Sequence, residues 1–389
     1  MTIQHESSHR PPVAPDRPAR RAQRAQRAGR AWPRPLVALA LTLLAALPAS
    51  TAALEPTYAE RLGWAAGDRV VIFHVDDAGM SHQSNVGAIR SIEEGVATSM
   101  SVMMPCGWVP ELVEYLKAHP ETDAGLHLTL TSEWDGYRWP PVLGAPRVPG
   151  LVDAGGHLWG SVQQVVASAT ADEVEAEIRA QIAKARAMGF EPTHLDSHMG
   201  TLFATPEFVE RYIKVGIETG IPIMMPGGHN TALRREYHDE MRERLERRGE
   251  WHGQELPEPP ALVPAPAMGR LVWDGGLPVL DDLHNTSYGW RLPEGVEPTD
   301  ENLRAMKVER YSQALRELRP GVTMIILHAT DADENFEHIS GSGPSRRGDM
   351  LAMIAPELRE VVEEEGIILT TWRELGERRK QVGRAQRSR

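Results

Sequence analysis

Two adjacent carboxylates, Asp76 and Asp77, close a β-branched run that begins at Val70. Three histidines, His127, His198 and His328, fall within or at the ends of other apolar runs, at Ala124–Thr131, Thr193–His198 and Thr323–Thr330. Imidazoles and a carboxylate make a donor set for a divalent cation. A second carboxylate beside such an ion stays ionised and can take a proton from a water whose own pKa the ion lowers. The chemistry this set supports is hydrolysis by an activated water. Each residue alone has a plainer explanation: a strand histidine held by hydrogen bonds, or two acids capping the helix that follows Asp77-Ala78-Gly79. Their coincidence at the C-terminal ends of four strands weighs more, because barrels and open α/β sheets hold their reactive groups at that rim.

Spacing narrows the set. His194, Asp196 and His198 share one face of an extended segment, where residues four apart are separated by roughly 13 Å. Donors to one ion lie within about 3–4 Å of each other, given bonds near 2 Å. His194 and His198 would meet on a helix, but Glu191-Pro192 before them and Gly200 after them favour a strand. His198, nearer the rim, is therefore the candidate, and Asp196 is left to orient a ligand or brace the strand. Asp76 and Asp77 alternate faces if the strand is extended, so one can ligate while the other acts as base.

The elements that must position these residues alternate. Strands are expected at about 70–77, 98–104, 124–131, 193–198, 222–225, 323–330 and 367–371. Helices are expected at about 85–94, 109–118, 171–188, 206–219, 301–318 and 346–365. Two stretches rich in Pro, Gly or charge, 132–170 and 228–298, break the rhythm. Such alternation implies an α/β fold of parallel strands with right-handed crossovers. A closed barrel and an open doubly wound sheet both fit it. Convergence of groups from four strands favours a distorted seven-stranded (β/α) barrel, a single domain over residues 54–377.

The first 53 residues read separately: a basic stretch from Arg10 to Arg34, an apolar run Leu36–Leu47, and the small residues Ala49-Ser50-Thr51-Ala52-Ala53. That order is expected of an export signal, and the apolar run is shorter than the roughly 20 residues of a membrane span. A periplasmic or secreted protein is the corresponding expectation. Residues 1–53 hold eight arginines and two acids, so the remainder has 34 basic and 52 acidic side chains, a net charge of −18. That balance opposes nucleic-acid binding, which depends on Lys and Arg neutralising phosphates. The basic end, 378–389, reads as a solvated tail. Cys106 is the single cysteine, so the fold has no internal disulfide, and a small buried hydrophobe is expected there ahead of a reactive thiol.

Three motifs carry a family resemblance: Val75-Asp76-Asp77-Ala78-Gly79, Gly125-Leu126-His127-Leu128-Thr129-Leu130-Thr131 and Thr193-His194-Leu195-Asp196-Ser197-His198. Together with Gly95-Val96-Ala97-Thr98-Ser99 they resemble the YdjC-like carbohydrate deacetylases, in the same order from about Val70 to Leu375. The resemblance implies a barrel related to polysaccharide deacetylases, Asp77, His127 and His198 as metal ligands, and Asp76 as catalytic base. It also implies an N-acetylated carbohydrate as substrate and magnesium as the ion, although two imidazoles and a carboxylate suit zinc, manganese, cobalt or nickel better by donor type, so the expectation is a divalent cation. The sequence departs from the family pattern at Gly200, where a further histidine is common, and at Ala329-Thr330, where Pro-Gly is common. His328 stands at the strand end where a general acid would protonate the leaving amine. Trp134, Tyr137 and Trp139 could stack on a sugar ring or pack a loop. His229, His238 and His284 are unassigned. The rival readings are a metal hydrolase of another amide or a phosphoester, and a sugar-binding protein without turnover.

Overall fold

The computed structural model describes residues 55–387. Seven strands, all parallel, form one sheet: β1 (Arg69–Ala78), β2 (Ser99–Val102), β3 (Ala124–Leu128), β4 (Leu195–Ser197), β5 (Asp282–His284), β6 (Gly321–Leu327) and β7 (Ile368–Leu369). Their order is β4-β3-β2-β1-β6-β5, and β7 pairs with the first half of β1 while β2 pairs with its second half. Single parallel bridges, Leu195 to Ile223 and Pro226 to Leu280, carry the segment 222–226 between β4 and the approach to β5. The sheet therefore curls into a distorted barrel and is not an open doubly wound sheet.

Hydrophobic burial explains the pattern. The central strand β1, Arg-Val-Val-Ile-Phe-His-Val-Asp-Asp-Ala, is buried from Val70 onward, and β6 matches it in register from Gly321 to Leu327. Helices at Val109–Ala118, Ala171–Ala187 and Pro206–Thr219 lie where their apolar spacing places them. Thr170 and Glu173 form a capping box at the start of Ala171–Ala187, and Thr205 caps Pro206–Thr219.

Several expectations are corrected. The stretch 222–225 makes isolated bridges only, and the strand on that side is β5, inside a section that reads as irregular. That section, 228–298, also holds helices at Thr231–Arg247 and Ala265–Asp274. The helix expected over 346–365 is two helices, Gly343–Met353 and Pro356–Glu364; Pro356 has no N–H with which to continue the first. The stretch 132–170 is irregular apart from a 3-10 turn at Pro149–Leu151, a single antiparallel bridge between Val152 and Leu158, and a short helix at Val162–Ser168. Buried Glu177 ties it down by accepting hydrogen bonds from the N–H groups of Val142 and Leu143, at 2.8 and 2.9 Å. The basic end is not a free tail: Trp372–Arg387 is helical, Arg378 lies over the Trp64 ring, and buried Arg379 donates to the Trp273 carbonyl. The export reading of residues 1–53 lies outside the described residues. Among those described, no helix is long and apolar enough to cross a membrane.

Candidate active site

The C-terminal end of β1 leaves regular geometry at the two aspartates. The β1–β2 register shifts between Val75 and Ala78, and Asp77 has a left-handed backbone, φ 63°. Aspartate is among the few residues that adopt this conformation at modest cost. The bulge undoes the face alternation expected of an extended pair, so both carboxylates approach one imidazole: His127 Nε2 is 3.4 Å from Asp77 Oδ1 and 3.7 Å from Asp76 Oδ2. Neither aspartate caps the next helix; Ser81 does.

His127 is on β3, and Asp196 is its direct register partner on β4, which places the two side chains on the same face. His127 Nδ1 donates to Asp196 Oδ1 at 2.7 Å, so Nε2 is the nitrogen presented to Asp77. His198 begins the turn after β4, where Met199 and Gly200 are both left-handed. Its Nε2 donates to Glu133 Oε2 at 3.1 Å, and its Nδ1 is 3.4 Å from Asp77 Oδ1. Asp77, His127 and His198 thus bring donor atoms within 4.8 Å of one another. His194 does not join them. Its ring stacks on Trp372 at 5.2 Å beneath the site, and its Nε2 faces Asp196 at 3.8 Å.

Asp77 Oδ1, at the centre of this set, is buried and has no hydrogen-bond partner among the described residues. An acceptor left bare between two imidazole nitrogens is costly unless a cation completes it. The residues therefore fit a divalent ion, held by one carboxylate oxygen and two imidazole nitrogens whose other nitrogens are fixed by carboxylates. The opposite oxygen, Oδ2, is 2.7 Å from Arg346 Nη2. Burial works against a charged Asp77, but Arg346, His127 and His198 hold its carboxyl well below the usual range. Burial likewise opposes a charged His127, yet Asp76 and Asp196 keep it well above its ordinary value; Glu133 and Asp77 hold His198 up at about 9 against the same penalty.

Asp76 does not point at the set alone. Its Oδ1 is 3.2 Å from Nε2 of His74, and its Oδ2 is 3.9 Å from Nε2 of His328. Burial pushes His328 below its ordinary pKa. The fully buried His74 also donates to Asp196 Oδ2 at 2.8 Å, so Asp196 braces both His74 and His127. Burial opposes the charge on His74, but the two carboxylates hold it up at about 9. His74, Glu133 and Arg346 are the site residues that reading the sequence missed.

The site opens into a cleft of about 1010 Å³. Trp134 lines it; Tyr137 and Trp139 instead pack the loop beneath, donating to the carbonyls of Met80 and Thr131. His229, His238 and His284 are not in its wall, although the helix Thr231–Arg247 is. Cys106 is buried and does not line the cleft, and burial pushes its thiol well up, as expected of a structural cysteine.

A family model described as YdjC-like protein matches residues 70–364. The chain belongs to the YdjC-like family. Its resemblance to that family, carried by the three motifs, is thereby borne out. Among YdjC-like relatives, a carbohydrate deacetylase from Thermus thermophilus is 30% identical over 318 residues, 82% of this chain and 97% of the relative. A chitooligosaccharide deacetylase from Yersinia enterocolitica is 31% identical over 136 residues, 34% of this chain and 49% of the relative. A solved structure from Enterococcus faecalis, assigned provisionally to cellobiose-phosphate cleavage, covers 79% of this chain and 99% of its own with a TM-score of 0.59. At 19% identity it supports the fold alone.

Proposed function

We propose that this YdjC-like protein removes N-acetyl groups from an amino sugar or oligosaccharide with the help of a divalent cation held by Asp77, His127 and His198. The observation that carries the reading is the bare Asp77 Oδ1, 3.4 Å from both His127 Nε2 and His198 Nδ1. A cation bound there would supply Lewis-acid polarisation of an acyl oxygen and lower the pKa of water. Two imidazoles and one carboxylate favour zinc over magnesium by donor type.

The chain's own residues supply the rest. Asp196 and Glu133 fix which imidazole nitrogen each ligand offers. Arg346 keeps Asp77 anionic and holds its far oxygen, so the near oxygen keeps its aim. Asp76 accepts the proton of the attacking water. His328, neutral at rest, takes that same proton from Asp76, whose Oδ2 is 3.9 Å from its Nε2, and gives it to the leaving nitrogen, which departs as the free amine while the acyl group leaves as acetate. Trp134 offers a flat apolar face to a sugar ring.

Purified protein loaded in turn with zinc and magnesium tests the reading when incubated with di-N-acetylchitobiose and, separately, with a general phosphatase substrate. Release of acetate and no release of phosphate is expected. Phosphate release without acetate would overturn the assignment.

A further inference from the structure

The guanidinium of Arg346 is 3% exposed yet forms part of the cleft wall, and it is only partly used by the protein. Its Nη2 meets Asp77 Oδ2 at 2.7 Å and its Nε donates to Ser342 Oγ at 2.8 Å. Its Nη1 finds no acceptor in the protein among the described residues. The rings of Tyr288 and Trp134 stand 5.3 and 5.8 Å from its central carbon and fix the plane of the group. A buried N–H with no acceptor costs about as much as a lost hydrogen bond, so a fixed guanidinium with one bare arm in a substrate cleft is built to meet something that arrives there.

The charge around it says what. Asp77 already neutralises Arg346, and Arg346 is the sole lysine or arginine lining the cleft among the described residues. Glu236, Asp239, Glu240 and Glu243, all from the helix Thr231–Arg247, line one side; Asp239 is paired with Arg242 at 2.8 Å, Glu243 lies 3.5 Å from Arg247, and burial pushes Glu236 up to about 7. With a divalent ion on Asp77, the three carboxylates Asp76, Asp77 and Glu133 together balance the ion and Arg346. The cleft therefore has no surplus positive charge to draw in an anionic ligand, and an uncharged oxygen can meet the bare arm without one.

Resting on the deacetylase reading, we propose that Arg346 is a substrate-contacting residue, whose Nη1 donates a hydrogen bond to an uncharged oxygen of an N-acetylated sugar, and that the cleft takes neutral sugars in preference to phosphorylated or acidic ones. Arg346→Lys keeps a cation against Asp77 but removes the second planar arm.

The test uses the full-length protein, metal-free and metal-loaded. Di-N-acetylchitobiose binding is followed by the change in total tryptophan fluorescence, to which Trp134 and Trp290 in the cleft wall contribute, and zinc binding is measured separately by calorimetry. The expected result for Arg346→Lys is sugar affinity weakened about tenfold, as for one lost hydrogen bond, with zinc affinity within about threefold of the parent. Unchanged sugar affinity in a variant with native melting behaviour would overturn the proposal. The unmodified protein gives an independent arm. It should bind di-N-acetylchitobiose at least tenfold more tightly than the same sugar carrying a 6-phosphate, with the gap narrowing as salt is added. Equal or tighter binding of the phosphorylated sugar would overturn the proposal whether or not the variant folds. Failure of the parent protein to release acetate from any N-acetylated sugar would instead defeat the deacetylase reading itself.

Discussion

Asp196 Oδ1 accepts a hydrogen bond from His127 Nδ1 at 2.7 Å, across the β3–β4 register in which the two residues are direct partners. The same carboxylate, through Oδ2, holds His74 at 2.8 Å. One buried acid therefore fixes the tautomer of a candidate metal ligand and braces the histidine behind the candidate base.

Replacing Asp196 by Asn keeps the shape but removes the charge and one of the two acceptor oxygens. Metal affinity should fall about 10- to 100-fold, the usual cost of losing an outer-shell carboxylate. Calorimetric titration of the metal-free variant checks this. Glu133→Gln, whose carboxylate is partly exposed, should lose less.

Asp76 approaches the ligand set without being needed to complete it. Asp76→Asn should therefore leave metal binding nearly intact while lowering kcat by about 10²- to 10⁴-fold, the range for losing a general base. Acetate release and metal content measured on one preparation separate the two effects. Equal loss of both would make Asp76 a ligand.

Gly125 has no room for a side chain. A Cβ there would come within 2.4 Å of the His194 ring, which is itself packed against Trp372 at 5.2 Å and His74 at 4.9 Å. Gly125→Ala should cost about 1–3 kcal/mol, because the ring has nowhere to retreat. Denaturant unfolding against the parent protein measures it.

His74 is held up at about 9, above the 6.5 of an unfolded histidine. A group whose folded pKa is raised stabilises the fold fully below the unfolded value, and that stability is lost as pH climbs to the folded one. Metal-free protein should thus lose about 3 kcal/mol from this group between pH 6.5 and about 9. Urea midpoints across that window should fall with pH, and His74→Gln should flatten the fall; a midpoint that rises would refute the charge state assigned to His74.

Much of the site was legible because ligand chemistry is written in residue types: two aspartates and three histidines in apolar runs point to a rim whatever the register. What joins them was not. The His127–Asp196 bond depends on a pairing 69 residues apart, which follows from how β3 and β4 align and from no local pattern. The left-handed turn at Asp77 is invisible in an Asp-Asp pair, so the expected division of faces failed. β5 escaped notice because Asp282-Leu283-His284 offers no apolar run amid charges and prolines, whereas the ten residues of β1 could hardly be missed. Two overlooked residues did leave a signal. His74 lies two residues before Asp76 in an otherwise apolar strand and so shares its face. Arg346 precedes Met350 and Met353 at helical spacing, an arginine on the buried stripe of its helix.

A paired measurement of bound metal and acetate release, on one sample before chelation, after chelation and after reloading with zinc, bears on everything above. Asp77, His127 and His198 acting together predict one ion per chain, loss of acetate release with the ion, and recovery on its return. Undiminished acetate release from protein stripped of all metal would contradict them.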